Sequence, residues 1–323
     1  MSHEKTMSTY LDNVKLGEVN EDDPSAQPGF VTQAAKLPGY KPGKSGNLTL
    51  SSYVKLTIYY SVLIVYVMTI LYPIFLMIVT SLKPTKEIFQ NPFGFPHQFY
   101  LTNYLELIMK SNYGLYFFNS LIVVVCSLLF IVMFSSPAAF TLAEYQFRLN
   151  KFCYLYFIAG LIIPIRLGTI SLLKMCIALH LNDHLASLVI INVAIGIPLG
   201  IFILTDFMKM IPTELFNAAR IDGCSEPNIF MKIVLPLLKP AIAALAIVNF
   251  IPVWNDFWFP LILIKSNTMK TIPLATALLF GQYQTNFGLV FAALSMASLP
   301  IVVFYLIFAK FFTKGLLQGA IKG

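Results

Sequence analysis

The chain has 323 residues, of which 57% are apolar and 11% charged, and its mean hydropathy is +0.74. Soluble domains carry about 25% charged residues, so a water-facing globular surface is excluded and a polytopic membrane protein remains. The net charge of +7 is unevenly laid out: six of the 15 acids fall in the first 23 residues, leaving 20 bases against 9 acids beyond them. Such an excess marks inner-side loops rather than nucleic-acid binding.

Residues 1–54 are polar and rich in Asp, Glu, Gly, Pro, Ser and Asn, the composition of a disordered cytoplasmic tail. No apolar run starts early enough to serve as a cleavable signal peptide. Gly39 and Gly43-Lys44-Ser45 imitate a phosphate loop, but three residues separate the glycines where GxxxxGK[ST] has four, and no strand precedes them. Nucleotide binding is therefore not assigned to the tail.

Six apolar stretches follow, at 56–82, 116–139, 152–173, 185–207, 237–264 and 288–311. Each reaches the ~20 residues that a helix needs to cross a ~30 Å hydrocarbon core. Residues 55–323 are thus expected to form an all-α membrane domain of six transmembrane helices, with both termini on one side. With the termini inside, the inner segments hold 15 Lys and Arg against 6 in the outer loops, so the positive-inside rule makes both termini cytoplasmic.

Gly196, Pro198 and Gly200 are expected to break the fourth stretch, Pro252 and Pro260 the fifth, and Pro300 the sixth. Breaks of this kind are either packing kinks or the lining of a path. Arg166 is the one base well inside a stretch, and a rise of ~1.5 Å per residue from Phe152 puts it ~21 Å up the core. It either faces a wet cavity, where its N–H groups can donate to hydroxyls, or snorkels to the outer interface. Asn192, Asn249, Ser295 and Ser298 are the further candidates for a polar path. Trp254, Asn255, Asp256 and Trp258 lie toward the outer end of the fifth stretch, as an aromatic belt would. His180, Asp183 and His184 offer too few ligands for a metal and read as a solvated loop. The four cysteines (Cys126, Cys153, Cys176 and Cys224) show no CxxC pair, which argues against a zinc site or a disulfide framework.

The loop at 208–236, KMIPTELFNAARIDGCSEPNIFMKIVLP, differs from the others. Its punctuation predicts two short helices. Thr213 N-caps the first, and Gly223 ends it in the left-handed conformation. Ser225 N-caps the second, with Pro227 in its first turn, and Pro236 and Pro240 mark the junction with the fifth stretch. Leu215, Phe216 and Ala219 at near-helical spacing suggest either a docking element or an amphipathic anchor.

The loop resembles the EAA motif of binding-protein-dependent ABC importers, E-A-A-x3-G-x9-I-x-L-P. Ala218, Ala219, Gly223, Ile233, Leu235 and Pro236 fall at its positions without a gap, and Asp222 matches the acid that often precedes the glycine. Pro212, Glu214 and Leu215 match an upstream P-x-E-L. Asn217 stands where the motif has Glu, and Glu214, three residues earlier on the same helix face, is expected to take over its charged contact. Asn119-Ser120, the run SSPAAFTLAEYQF at 135–147 and the closing FAKFFTKGLLQGAIKG are similar to the second permease of maltose-type sugar transporters.

The resemblance covers residues 55–323. It implies a transmembrane subunit of a type I ABC importer in the cell membrane, working by alternating access. Such a subunit pairs with a second, homologous permease and couples through the EAA loop to two cytoplasmic ATPase subunits. Those subunits bind ATP and Mg, so this chain needs no cofactor and is not itself an enzyme. An extracytoplasmic solute-binding protein delivers the sugar. The rival with the same architecture carries another solute, such as a polyamine, phosphate or peptide. An ion-coupled secondary transporter is disfavoured because Glu144, Asp206 and Asp256 all fall near the ends of stretches.

Overall fold

The computed structural model describes residues 50–280 and 285–320. The expected tail lies outside the described residues up to position 49, as does the glycine-rich imitation of a phosphate loop. The chain forms two compact units, residues 1–68 and 69–323. What is described of the first is the opening of α1 (Leu50–Ser81), which from Val54 to Met68 is apolar or aromatic apart from Lys55, Thr57 and Ser61. It has no polar stripe, the pattern of a helix whose outer solvent is not water.

The second unit contains the rest of α1 and the helices that follow. Two short ones, α2 (Thr85–Gln90) and α3 (Thr102–Lys110), lead into the long α4 (Tyr113–Glu144). Next come α5 (Asn150–Ile162), α6 (Thr169–Ala178) and α7 (Leu185–Met208). The segment expected to carry two short helices holds α8 (Thr213–Ile221), α9 (Glu226–Ile229) and α10 (Leu235–Leu237). α11 (Lys239–Trp254), α12 (Trp258–Leu263), α13 (Ile272–Leu278) and α14 (Phe287–Ala320) complete the order. No strand occurs among the described residues.

Four described helices are long and apolar enough to cross a bilayer: Val54–Ser81, Tyr113–Glu144, Leu185–Met208 and Phe287–Phe308. The third and fifth expected stretches are not straight spans. α5 ends at Ile162, and the chain turns by 80° into Ile165–Ala178. The cause is Pro164, which drives Ile163 to an extended ψ of 119° and cannot donate to the preceding turn. The fifth stretch begins with a 71° bend between Glu226–Leu237 and Lys239–Trp254 and stops again at Asn255. Each bent pair counts as a crossing only if taken as one broken span. The breaks expected in the fourth and sixth stretches do not occur, and in the fifth Pro252 lies inside α11 and Pro260 inside α12, so neither proline is where the chain breaks. Pro198 and Pro300 lie inside the continuous helices α7 and α14, because lipid offers the backbone no alternative hydrogen-bond partner and a helix loses least by continuing.

α4 and α7 pack at the centre of the unit. Gly196 and Gly200 set their approach: a Cβ on the first would stand 2.3 Å from Ile131 Cδ1, and one on the second 2.5 Å from Ser135 Oγ. Small residues let helix backbones approach where lipid supplies no hydrophobic drive. At one end of α4, Asn119 donates to the carbonyls of Thr268 and Lys270 at 2.8 and 2.9 Å, and Ser120 Oγ accepts the Ile272 amide at 2.8 Å. Nearby, Lys83 is fully buried and donates to the carbonyls of Asn91 and Gly94, folding the α2 segment onto the rest.

Trp254 is not part of an interfacial belt. It is 2% exposed, its Nε1 donates to the Ala297 carbonyl at 3.0 Å, and Phe250 stacks on it at 5.9 Å between ring centres. Trp258 stays exposed, with its indole N–H on Thr169 Oγ1 at 3.0 Å. Asp183 ties two loops together, its Oδ1 accepting the amides of Lys265 and Ser266 at 2.8 Å each. Those two donors hold its carboxyl below the ordinary value.

Candidate functional site

The segment after α7 forms a helix–turn–helix. Pro212, with φ −60° and ψ 129°, takes the N-cap position of α8. Thr213 is therefore the first helical residue and not the cap, since proline's fixed φ turns the chain into the helix one residue earlier. Ser225 does sit at the N-cap of α9, but its hydroxyl accepts from Asn228 Nδ2 at 3.0 Å and caps no backbone amide.

The end of α8 matches the expectation. Gly223 has φ +82°, its amide donates to the Arg220 carbonyl at 3.1 Å, and the Cys224 amide donates to the Ala219 carbonyl at 2.9 Å. This paired closure needs a left-handed residue, which glycine adopts without a Cβ penalty.

Phe216 and Ala219 face inward, so the docking face proposed from Leu215, Phe216 and Ala219 is only partly outward. Phe216 meets the edge of Phe140 at 5.8 Å between ring centres, and Phe140 also packs on Phe230 at 5.7 Å. Burying such a ring contributes about 1.5–3 kcal/mol and fixes which way the helix faces. Outward are Glu214, Leu215, Asn217, Ala218, Asp222 and Gly223, with Ile221 86% exposed.

Beyond the turn, α9 runs into a widened π-type turn at Phe230–Val234 and then α10. Ile233 and Leu235 are half-buried there and Pro236 is exposed. Isolated π-turns recur at functional places in helices, where the widened ladder redirects the side chains.

The polar centre of this segment is Arg220, which the sequence reading passed over. Its Nε donates to Glu226 Oε1 at 2.8 Å, and its Nη1 to Glu144 Oε1 at 2.8 Å and to Asn217 Oδ1 at 3.0 Å. The Tyr145 hydroxyl donates to Glu226 Oε2. Arg220 thus joins α8 to the start of α9 and to the last residue of α4. Its bonds and the Tyr145 hydroxyl hold the Glu226 carboxyl below its ordinary value, while the two carboxylates push the guanidinium further up. Glu144 and Arg220 are 76 residues apart, so only the fold could reveal the pair.

The path candidates separate into two groups. Asn192, Asn249 and Ser295 are buried, and Ser298 is half-buried. Asn192 Nδ2 donates to the Leu188 carbonyl of its own helix at 2.9 Å, and Asn249 Nδ2 to that of Leu245 at 3.0 Å. Ser135 does the same to Ile131 at 2.5 Å. Asn192 borders a cavity of ≈ 10 Å³, room for about one water, into which Asp256 and Thr271 also turn. Arg166 lies outside this group. It sits exposed in the short turn Ile165–Gly168 at the break after α5, because Pro164 has taken it off the helix on which its depth was reckoned.

Residues 132–317 match the family model described as binding-protein-dependent transport system inner membrane component. The melibiose/raffinose/stachyose import permease protein of Bacillus subtilis is 35% identical over 252 residues, covering 78% of this chain and 91% of its own. The arabinooligosaccharides transport system permease protein of Halalkalibacterium halodurans is 33% identical over 257 residues, with the same two coverages. The multiple sugar-binding transport system permease protein of Streptococcus mutans is 34% identical, covering 78% and 92%. Among solved structures, a chain of a bacterial ABC transporter involved in import of the acidic polysaccharide alginate superposes with a TM-score of 0.69 at 20% identity. That match covers 85% of this chain and all of the other, and establishes a shared fold.

Proposed function

Since the chain belongs to the family of binding-protein-dependent transport system inner membrane components, we propose that it is one of two permease halves of an ATP-driven sugar importer. It is a multi-pass protein of the cell membrane. A second, homologous permease supplies the other wall of the path, and an extracytoplasmic binding protein delivers an oligosaccharide. Two cytoplasmic ATPase subunits hold the ATP and Mg, so the chemistry lies outside this chain.

In this reading the bent pair Asn150–Ile162 and Ile165–Ala178 is one crossing, and of the other pair only the arm Lys239–Trp254 crosses, its arm Glu226–Leu237 lying outside the hydrocarbon core. That gives the six spans of a type I importer with both termini cytoplasmic, the arrangement favoured by the lysine and arginine count. The segment 208–236 then lies on the cytoplasmic side as the coupling element. Glu214, Asn217, Ala218, Asp222 and Gly223 form its outward face toward the ATPase, and Ala219, Ile233, Leu235 and Pro236 set its seat and exit. Asn192, Asn249, Ser295 and Ser298 give the interior a polar character suited to hydroxyl-rich cargo, and Arg166 stands at the outer break.

The observation that carries the sugar assignment is that three sugar-transport permeases align over 78% of this chain and at least 91% of their own length. The test is reconstitution of the chain with its partner permease, ATPase and binding protein in proteoliposomes, followed by uptake of labelled galactosides, arabinooligosaccharides and maltodextrins. Uptake must require both ATP and the binding protein. Transport driven by a proton or sodium gradient without ATP hydrolysis would overturn the reading in favour of a secondary transporter.

A further inference from the structure

We infer that Arg220 and Glu144 form the joint through which movement of α8 reaches the second span, with Arg220 as a positioning residue for transport. The inference deepens the reading of 208–236 as the coupling element and rests on it. α8 touches α4 in two chemically different ways. One is the edge contact of Phe216 on Phe140, an apolar contact that constrains distance but allows sliding. The other is the Nη1 of Arg220 on Glu144 Oε1 at 2.8 Å, a charge-assisted bond with a fixed direction.

The burial of the pair matters. The Glu144 side chain is 9% exposed and that of Arg220 30%. A carboxylate so enclosed is costly to leave unpaired, so α4 and the C-terminal end of α8 must move together. The other end of α8 is less firmly seated: a cavity of ≈ 140 Å³ lies between Thr213 and Phe216 of α8, Glu144 of α4 and Met208 of α7. Displacement of α8 can be absorbed at that end but is transmitted at Arg220.

The same guanidinium also holds Glu226 and Asn217. Asn217, where the related motif has an acid, spends its side-chain oxygen inside this network. A third carboxylate at that position would compete with Glu144 and Glu226 for one cation, so the neutral amide keeps the Glu144 bond intact.

The experiment uses the full complex in proteoliposomes with loaded binding protein. It measures ATPase co-purification, ATP hydrolysis and uptake for wild type, Glu144→Gln, Glu144→Asp and Arg220→Lys. Glu144→Gln leaves the Arg220–Glu226 bond in place and so keeps the loop folded. It should retain the ATPase subunits and ATP hydrolysis while sugar imported per ATP falls about tenfold, a typical coupling between two sites. Arg220→Lys, which keeps the charge but loses the fork, should behave likewise, and Glu144→Asp should recover most of the coupling. The inference is overturned if Glu144→Gln imports as much per ATP as wild type, if it loses ATPase association in step with uptake, or if Glu144→Asp is no better than Glu144→Gln. A wild-type complex that shows no ATP-dependent uptake would overturn the functional reading itself and this inference with it, an outcome separable from failure of the variants alone.

Discussion

Substitution of Gly223 separates a conformational cost from a docking cost. The residue has φ +82°, and a Cβ built on it would meet no atom within 4 Å. Inside this chain alanine therefore brings no clash, and the penalty is that of a left-handed L-residue, about 1–2 kcal/mol. Asparagine adopts that region more readily, so Gly223→Asn should cost less than Gly223→Ala. A loss of 1–2 kcal/mol lowers the ratio of closed to open turn by a factor of about 5–30. In the isolated chain, hydrogen exchange at Gly223 and Cys224 should accelerate in the order Asn, then Ala. On the proposal that 208–236 is the coupling element, a larger side chain at Gly223 would obstruct the ATPase. Gly223→Asp should stay in the membrane but lose ATPase co-purification and uptake. Wild-type association and uptake in Gly223→Asp would refute the docking part of the reasoning, and faster exchange in Asn than in Ala would refute the conformational part.

Gly200→Val should destabilise the α4–α7 contact by about 1–3 kcal/mol through overpacking, because Ser135 Oγ and Cβ would lie 2.5 and 2.7 Å from the new Cβ; thermal unfolding in detergent, with Gly114→Ala in open space as control, checks this. The Glu226 carboxyl is held below its ordinary 4.5, so its bonds stabilise the loop fully above that pH and are lost as pH falls through the lower folded value; amide protection across α8 and α9 should drop there in wild type and be flat in Glu226→Gln. Glu214 is exposed near the start of α8, where the helix dipole favours an acid, so Glu214→Gln should weaken ATPase co-purification. Unchanged co-purification would remove Glu214 from the docking face.

Much of the local structure could be read from residue types, because it depends on local chemistry. Gly223 had to end a helix, and the Pro236–Pro240 pair had to mark a junction. Periodicity and length located the helices but could not distinguish a span from two half-helices, which is why the bend at Pro164 and the displacement of Arg166 were missed. Conversely, the breaks expected at Pro198 and Pro300 failed because a proline's local preference is outweighed where the backbone has nowhere else to bond. Trp254 was assigned to the interface by composition, yet its partner Ala297 is 43 residues away. The Arg220 network was illegible for the same reason, since every bond that matters to it except those to Asn217 and Glu226 crosses between distant segments.

The amide and hydroxyl side chains that bond four residues back along their own helices bear on how such a chain is made. Asn192, Asn249 and Ser135 each donate a hydrogen bond to a carbonyl on the same segment. A nascent helix entering lipid alone brings that donor already engaged, so its partition from water does not wait for a neighbouring helix to arrive. Insertion and lateral assembly become separable steps, and the polar groups that later meet inside the finished protein do not have to be rescued there. What the mature interior inherits is the oxygen and the second N–H of each amide, available to whatever packs against them.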